Sequence, residues 1–325
     1  MKSFNQEERI MKARHIIIPV ILFFLAACEP VEVDNTTLQN PVEGNKTDET
    51  AYTLTVQAYK NVDTKALQLS GNTLNAYWAD GEKVGIYVNG VRRGSLTAAT
   101  PNAQLSSTAT LSGTISNATI KKTDVIMLLF PDRNDQKWDY TGQNGASPAL
   151  ADAELGTRFD YATASLTVTN VDSDNHTVTT SGPATFTNEQ SMYRFGFKEN
   201  GTGDPIAVKE FMISSNKGQL VRSREWSTST KNWTSNTGSI TVKSSSAPAG
   251  NLYYMALRNE NITQDDTYSF QVIVGDNDAL YLGSKVVAKE HLGNGHFVSI
   301  QGVPITQTKL SPSTSGTIGQ ASEVF

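Results

Sequence analysis

The stretch Tyr52-Thr53-Leu54-Thr55-Val56-Gln57-Ala58 alternates apolar and polar residues without a break. In an extended backbone every second side chain points to the same face, so this segment predicts a half-buried β-strand. The same period returns along the chain. Val84, Ile86 and Val88 carry it, as do Leu166 and Val168 among their threonines, and Tyr193, Phe195 and Phe197. Phe211 and Ile213, Ile240 and Val242, Tyr268 to Val274 and Phe297 to Ile300 continue it. Val125–Phe130 is apolar at every position, which predicts a central strand covered on both faces. Asp172-Ser173-Asp174-Asn175-His176 lies between two Thr/Val runs and reads as a hairpin loop. No stretch sustains a helical period. Many short strands, abundant Thr and Ser, and Gly or Asn turns predict an all-β chain of two β-sandwich domains in tandem. Residues 51–188 and 189–305 are the expected domains, divided in the polar patch Thr187–Ser191, with 306–325 as a thinly apolar tail.

Upstream of the first strand the pattern changes twice. Residues 28–50 are rich in Asn, Thr, Glu and Pro, with too few apolar side chains to build a core, and predict a flexible tether. Before them, Lys12, Arg14 and His15 precede a run from Ile16 to Ala27 that is apolar except for Pro19. A basic head, a short apolar middle and small residues before a cut are the parts of a secretory signal. The apolar run falls short of the ~20 residues a membrane span needs. It ends in Leu25-Ala26-Ala27-Cys28, the pattern a lipoprotein signal peptidase reads, and Cys28 is the only cysteine. Residues 1–27 are therefore expected to be removed, in a Gram-negative cell envelope, leaving Cys28 lipidated at the mature N-terminus. Met11 offers a second start that gives a signal of ordinary length.

With that thiol acylated no disulfide forms, and packed cores must carry stability. The formal net charge is −5. Loss of Lys2, Glu7, Glu8, Arg9, Lys12 and Arg14 takes the mature chain to about −7, and as the basic cluster Arg92-Arg93 is too short to matter, no nucleic-acid partner is expected.

No site of chemistry stands out. His291 and His296 flank Leu292-Gly293-Asn294-Gly295, a spacing that would need further ligands close by to hold a metal. Asp172-Ser173-Asp174 and Asp276-Asn277-Asp278 resemble fragments of calcium loops, yet neither is followed by the Gly and the distant Glu of a complete loop. Turns use the same residues to hydrogen-bond their own backbone. The chain has no G-x-S-x-G, H-E-x-x-H, Walker or G-x-G-x-x-G motif. An acid pair of the glycosidase kind stays open, because sequence spacing does not fix carboxylate separation in a β-fold. No enzymatic activity, metal or cofactor is expected. Trp78, Trp138, Trp226 and Trp233 lie in or beside polar sequence, which leaves a glycan-binding surface open, although Trp78 reads better as a core plug.

Thr64-Lys65-Ala66, followed by Ala76-Tyr77-Trp78-Ala79-Asp80-Gly81-Glu82-Lys83-Val84-Gly85-Ile86-Tyr87, resembles the N-terminal domain of the fimbrillins. Leu129-Phe130-Pro131 and Trp138-Asp139-Tyr140-Thr141-Gly142-Gln143-Asn144-Gly145 are similar to later parts of that domain. Met192–Phe197, Ile213–Gly218, Tyr254–Leu257 and His291–Phe297 resemble strands of the family's second domain, in the same order.

The resemblance implies tandem sandwiches of transthyretin-like, Greek-key type in a subunit that forms, caps or anchors type V fimbriae on Bacteroides-like bacteria. It further implies export as an outer-membrane lipoprotein, surface exposure, and trimming after a basic residue behind the first strand. Assembly with other fimbrial subunits by strand exchange, and a host or bacterial surface ligand, complete the expectation. Lys65-Ala66 sits at the matching place, with lysine where well-known members carry arginine. Tyr52, Leu54 and Val56 become the residues of the exchanged strand's groove, and the tail after Thr306 the candidate donor. The rival reading is a surface glycan-binding lipoprotein of a polysaccharide-uptake system, which would share export, tether and fold class. The environment of Trp138, Trp226 and Trp233 separates the two, since a sugar platform needs coplanar exposed rings.

Overall fold

The computed structural model describes residues 51–60, 68–70, 73–147, 154–218, 220–227, 229–230, 232–244, 248–258, 260, 265–286 and 294–308. The first half contributes β1 (Tyr52–Lys60), β2 (Gln68–Ser70), β3 (Thr73–Asn75), β4 (Lys83–Val88), β5 (Val91–Ala99) and β6 (Thr108–Ile115). It continues with β7 (Val125–Phe130), β8 (Lys137–Asp139), β9 (Ala162–Asp172), β10 (Thr177–Thr180) and β11 (Ala184–Asn188). The one α-helical segment among the described residues, α1 (Glu154–Arg158), is too short to make a layer, and the all-β class read from the period is what the chain builds.

The ladder of the first half closes on itself. Strands run in the order β1, β11, β9, β7, β4, β5, β6, and β6 pairs antiparallel with β1 along its length, from Tyr52 opposite Ile115 to Tyr59 opposite Thr108. The expected sandwich is thus a single continuous sheet wrapped around its core. Gly113 permits a close approach within this sheet: a Cβ there would lie 2.0 Å from the Ser95 carbonyl oxygen. Only a residue without a side chain lets β5 and β6 approach so closely. Inside are Leu54, Val56, Ile86, Leu96, Leu111 and Leu128, with Trp78 meeting Phe130 and Phe186 edge-on at 5.6 and 5.2 Å.

The second half contributes β12 (Ser191–Glu199), β13 (Pro205–Ile206), β14 (Val208–Ser215), β15 (Val221–Ser227) and β16 (Asn232–Thr237). After them come β17 (Ile240–Lys243), β18 (Leu252–Leu257), β19 (Thr267–Val274), β20 (Ala279–Val286) and β21 (Phe297–Gln307). Its main sheet runs β13, β12, β21, β20, β19, β14, β17, with β18 also on β12. Thr306 and Gln307, which the sequence placed in the tail, still pair with Leu282 and Tyr281. The core is aromatic, with Phe195, Phe197, Phe211, Tyr253 and Phe270 in tilted and edge contacts 5.1 to 6.0 Å apart.

The two sheets share one seam. Along β7, Ile126, Leu128 and Phe130 enter the first core, while Leu129 and Met127 pack on the second cluster. That explains the uninterrupted apolar run, apart from Val125, which is 55% exposed at the strand's start. β8 adds to β15, and β15 to β16, so this small sheet is drawn from both halves. Gln143 pairs with the Ala256 backbone of β18 like a strand residue: its Nε2 donates to the carbonyl at 2.8 Å and its Oε1 accepts from the N–H at 2.7 Å. Glu189 Oε2 accepts from Arg224 Nη1 at 2.9 Å and from Arg258 Nη1. Burial, then the Arg258 cation, pulls Arg224 below the usual guanidinium range.

Buried tyrosines gather in the second cluster. Burial pushes Tyr87 up to about 12 and raises Tyr140, Tyr161, Tyr253 and Tyr268 as well. An unfolded tyrosine ionises near pH 10, so above that pH the unfolded chain releases protons that the folded chain retains. The stabilisation is complete below about pH 10 and is lost as pH rises towards 12. The urea midpoint is expected to fall steeply across that window, and Tyr87→Phe should flatten the decline. An unchanged slope in that variant would remove Tyr87 from the account.

Candidate functional site

β1 is the first strand of the described chain and fills both edges of its slot. Its antiparallel partner is β6, and on the other side it lies parallel to β10 at Thr53 and Leu54, then to β11 from Ala58 to Lys60. Leu54 and Ala58 are wholly buried and Val56 nearly so. Tyr52 is half-buried at the mouth of the barrel, its ring tilted against His176 at 6.1 Å, so it rims the groove where Leu54 and Val56 fill it. On the outer face Thr55 Oγ1 and Ser112 Oγ are 3.1 Å apart, and Gln57 Nε2 donates to Thr110 Oγ1 at 2.9 Å.

The inward row has a fourth member that sequence reading missed. Lys60 has the parity of Leu54, Val56 and Ala58, and its side chain is only 1% exposed. The ammonium sits 3.8 Å from the centroid of Trp78 and 5.0 Å from that of Phe130. It donates to the Tyr77 carbonyl at 2.8 Å and to Glu82 Oε2 at 3.2 Å. The period-two rule pointed inward at position 60, and the charge masked it.

Cys28, Lys65, Ala66 and His291 lie outside the described residues, as does the tail from 309 onward. The acidic loops serve as turns. Asp172 accepts from the N–H groups of Asp174 and Asn175 and from Asn175 Nδ2, and these bonds, the side-chain one foremost, hold its carboxyl below the usual range. Asp278 pairs with Lys209 on the surface. His296 is exposed at the start of β21. Among the described residues no three His, Cys, Asp or Glu side chains gather as a metal site would require.

Trp138, Trp226 and Trp233 are strand residues, whereas Trp78 lies between β3 and β4 and is fully buried. Trp138 on β8 is buried and stacks on Trp233 of β16 at 4.2 Å and on Tyr161 at 5.4 Å. Trp226 of β15 meets Trp233 edge-on at 73°. The rings form a folded stack at the seam, with the Arg224 guanidinium 5.1 Å from Trp233.

Among solved structures the chain is similar to a candidate cell adhesion protein of Bacteroides uniformis, at 13% identity and a TM-score of 0.42, over 78% of this chain and 96% of that one. It is similar to another from Bacteroides ovatus, at 11% and 0.39, over 78% and 95%. A fimbrial assembly protein of Parabacteroides distasonis follows at 8% and 0.37, over 81% and 100%. No model of a known protein family matches the chain, and no curated protein does.

The contrast between the two faces of β1 gives a direct expectation. Leu54→Ala should cost about 2–5 kcal/mol of unfolding free energy, because the closed sheet cannot collapse into the void. Thr53→Ser, on the outer face, should stay within about 1 kcal/mol. Equal effects in chemical denaturation would show that β1 does not anchor the core.

Proposed function

We propose that this chain is a structural or adhesive subunit of a surface fimbrium, exported as a lipoprotein on Cys28 and joined to neighbouring subunits by exchange of β1. The observation that carries this reading is the position of β1, the first strand of the described chain and yet an internal stave of its first core. Leu54 and Val56 contribute roughly 1.5–3 kcal/mol each by burial, against a domain stability of only ~5–15 kcal/mol. Cleavage between Lys65 and Ala66 would detach β1 from the rest of the chain and leave it held by non-covalent contacts alone. Its departure would open an apolar groove between β6 on one side and β10 and β11 on the other, with unpaired backbone on both walls. Such a groove captures a strand of suitable pattern.

The ordered run of fimbrillin-like segments supports the same reading, as does the lipoprotein signal ahead of the tether. The partners are other fimbrial subunits, with the outer membrane reached through the lipid. A sugar platform has less support, because Trp138, Trp226 and Trp233 are packed on one another and do not lie flat at the surface. The function is mechanical and adhesive, with no catalytic step assigned.

Terminal mapping of cell-surface material tests the processing. Unassembled protein in the membrane fraction is expected to begin at lipid-bearing Cys28, and assembled protein at Ala66. Lys65→Ala should hold the chain in its unassembled form. A polymerised chain that still begins at Cys28 would contradict the proposal.

A further inference from the structure

The Tyr77, Trp78, Glu82 and Phe130 groups that meet the Lys60 ammonium all lie outside β1. The Tyr77 carbonyl, the Trp78 ring and Glu82 lie ahead of and at the start of β4, and Phe130 ends β7. Trp78 is fixed independently, by the edges of Phe130 and Phe186 and by backbone bonds in both directions with Ser106, at 2.6 and 3.0 Å. The pocket therefore belongs to the groove and would remain if β1 left it. A carbonyl oxygen, a carboxylate and a tryptophan face all favour a cation.

We propose that this pocket reads the strand that occupies the groove. It selects a donor with a basic residue six positions after its first deeply buried apolar anchor, the spacing of Leu54, Val56, Ala58 and Lys60. This inference rests on the strand-exchange reading above. An uncharged side chain at the fourth inward position would leave Glu82, only 17% exposed, without its counter-charge, and loss of one partner from a buried pair is strongly unfavourable. The pocket also sets register. A strand shifted by two residues would bring a small or apolar side chain against Glu82, and a shift by one would turn every anchor outward.

The candidate donor in this chain fails the test. Across the tail 306–325 the one basic residue, Lys309, stands ahead of the apolar anchors Leu310, Ile318, Val324 and Phe325, so no anchor of the tail lies six positions before a base. The pocket therefore selects a strand from a different subunit over this segment of a second copy.

The test uses the full chain with a site-specific protease sequence placed at Lys65–Ala66, cut after folding. A labelled peptide of sequence Tyr52–Lys60 is competed with the same peptide carrying Lys60→Leu, and with a peptide of Thr306–Phe325. The lysine peptide is expected to bind at least about tenfold more tightly than either competitor. In a Glu82→Gln body that preference should shrink to under about threefold, a change that peptide hydrophobicity alone would not produce. Equal retention of the lysine and leucine peptides by the unmutated body would overturn the inference and leave strand exchange standing, as would a tail peptide that binds as well as β1. If no peptide enters the cut chain, including the native Tyr52–Lys60 sequence, strand exchange itself fails and the inference falls with it.

Discussion

Every backbone N–H and C=O in a buried strand needs a partner, and in the first half of this chain β1 is the strand through which the closed ladder meets that demand. β6 pairs with it along one edge, and β10 and β11 share the other. The rest of the barrel depends on this double engagement. Without β1 the sheet would have two raw edges facing each other across the space that Leu54, Val56, Ala58 and Lys60 now fill. A closed sheet has no edge to offer another chain. The same strand thus protects the molecule from association while it is present and defines the opening if it is released.

The second constraint is the seam. Leu129 and Met127 face away from the first core, Gln143 joins the backbone of β18, and Glu189 gathers two buried guanidiniums. Breaking such a cluster by removing one partner exposes an unpaired buried charge, which makes the junction stiff in the energetic sense. None of these contacts involves β1 itself. β7 serves both regions, with Phe130 on the groove side and Leu129 and Met127 on the seam side.

Much of the fold was legible because its period is simple. The alternation in β1, β9 and β12 and the unbroken apolar run of β7 state their own environment, and the Asp172 loop is a hairpin turn as its residues suggest. What was not legible has physical reasons. The closure of the first sheet comes from the non-local pairing of β1 with β6, which leaves no local trace. β15 and β16 carry Trp226 and Trp233 among polar residues because their sheet is shared between the halves and half-exposed, which blurs the period. Lys60 was overlooked because a charge ordinarily marks an outward position. Here an aromatic face, a carbonyl and a carboxylate together offset its desolvation. The helical turn at Glu154–Arg158 is too short to produce a period at all.

The account stands on β1 being an integral stave of the barrel and not a fraying end. Native-state hydrogen exchange resolves this residue by residue, since an amide that opens only with the whole fold exchanges at the free energy of global unfolding. In the intact chain the β1 amides from Leu54 to Ala58 are predicted to exchange at the level of those in the middle of β6 and β9. Exchange of β1 at a much lower free energy, with β6 and β9 still protected, would contradict it.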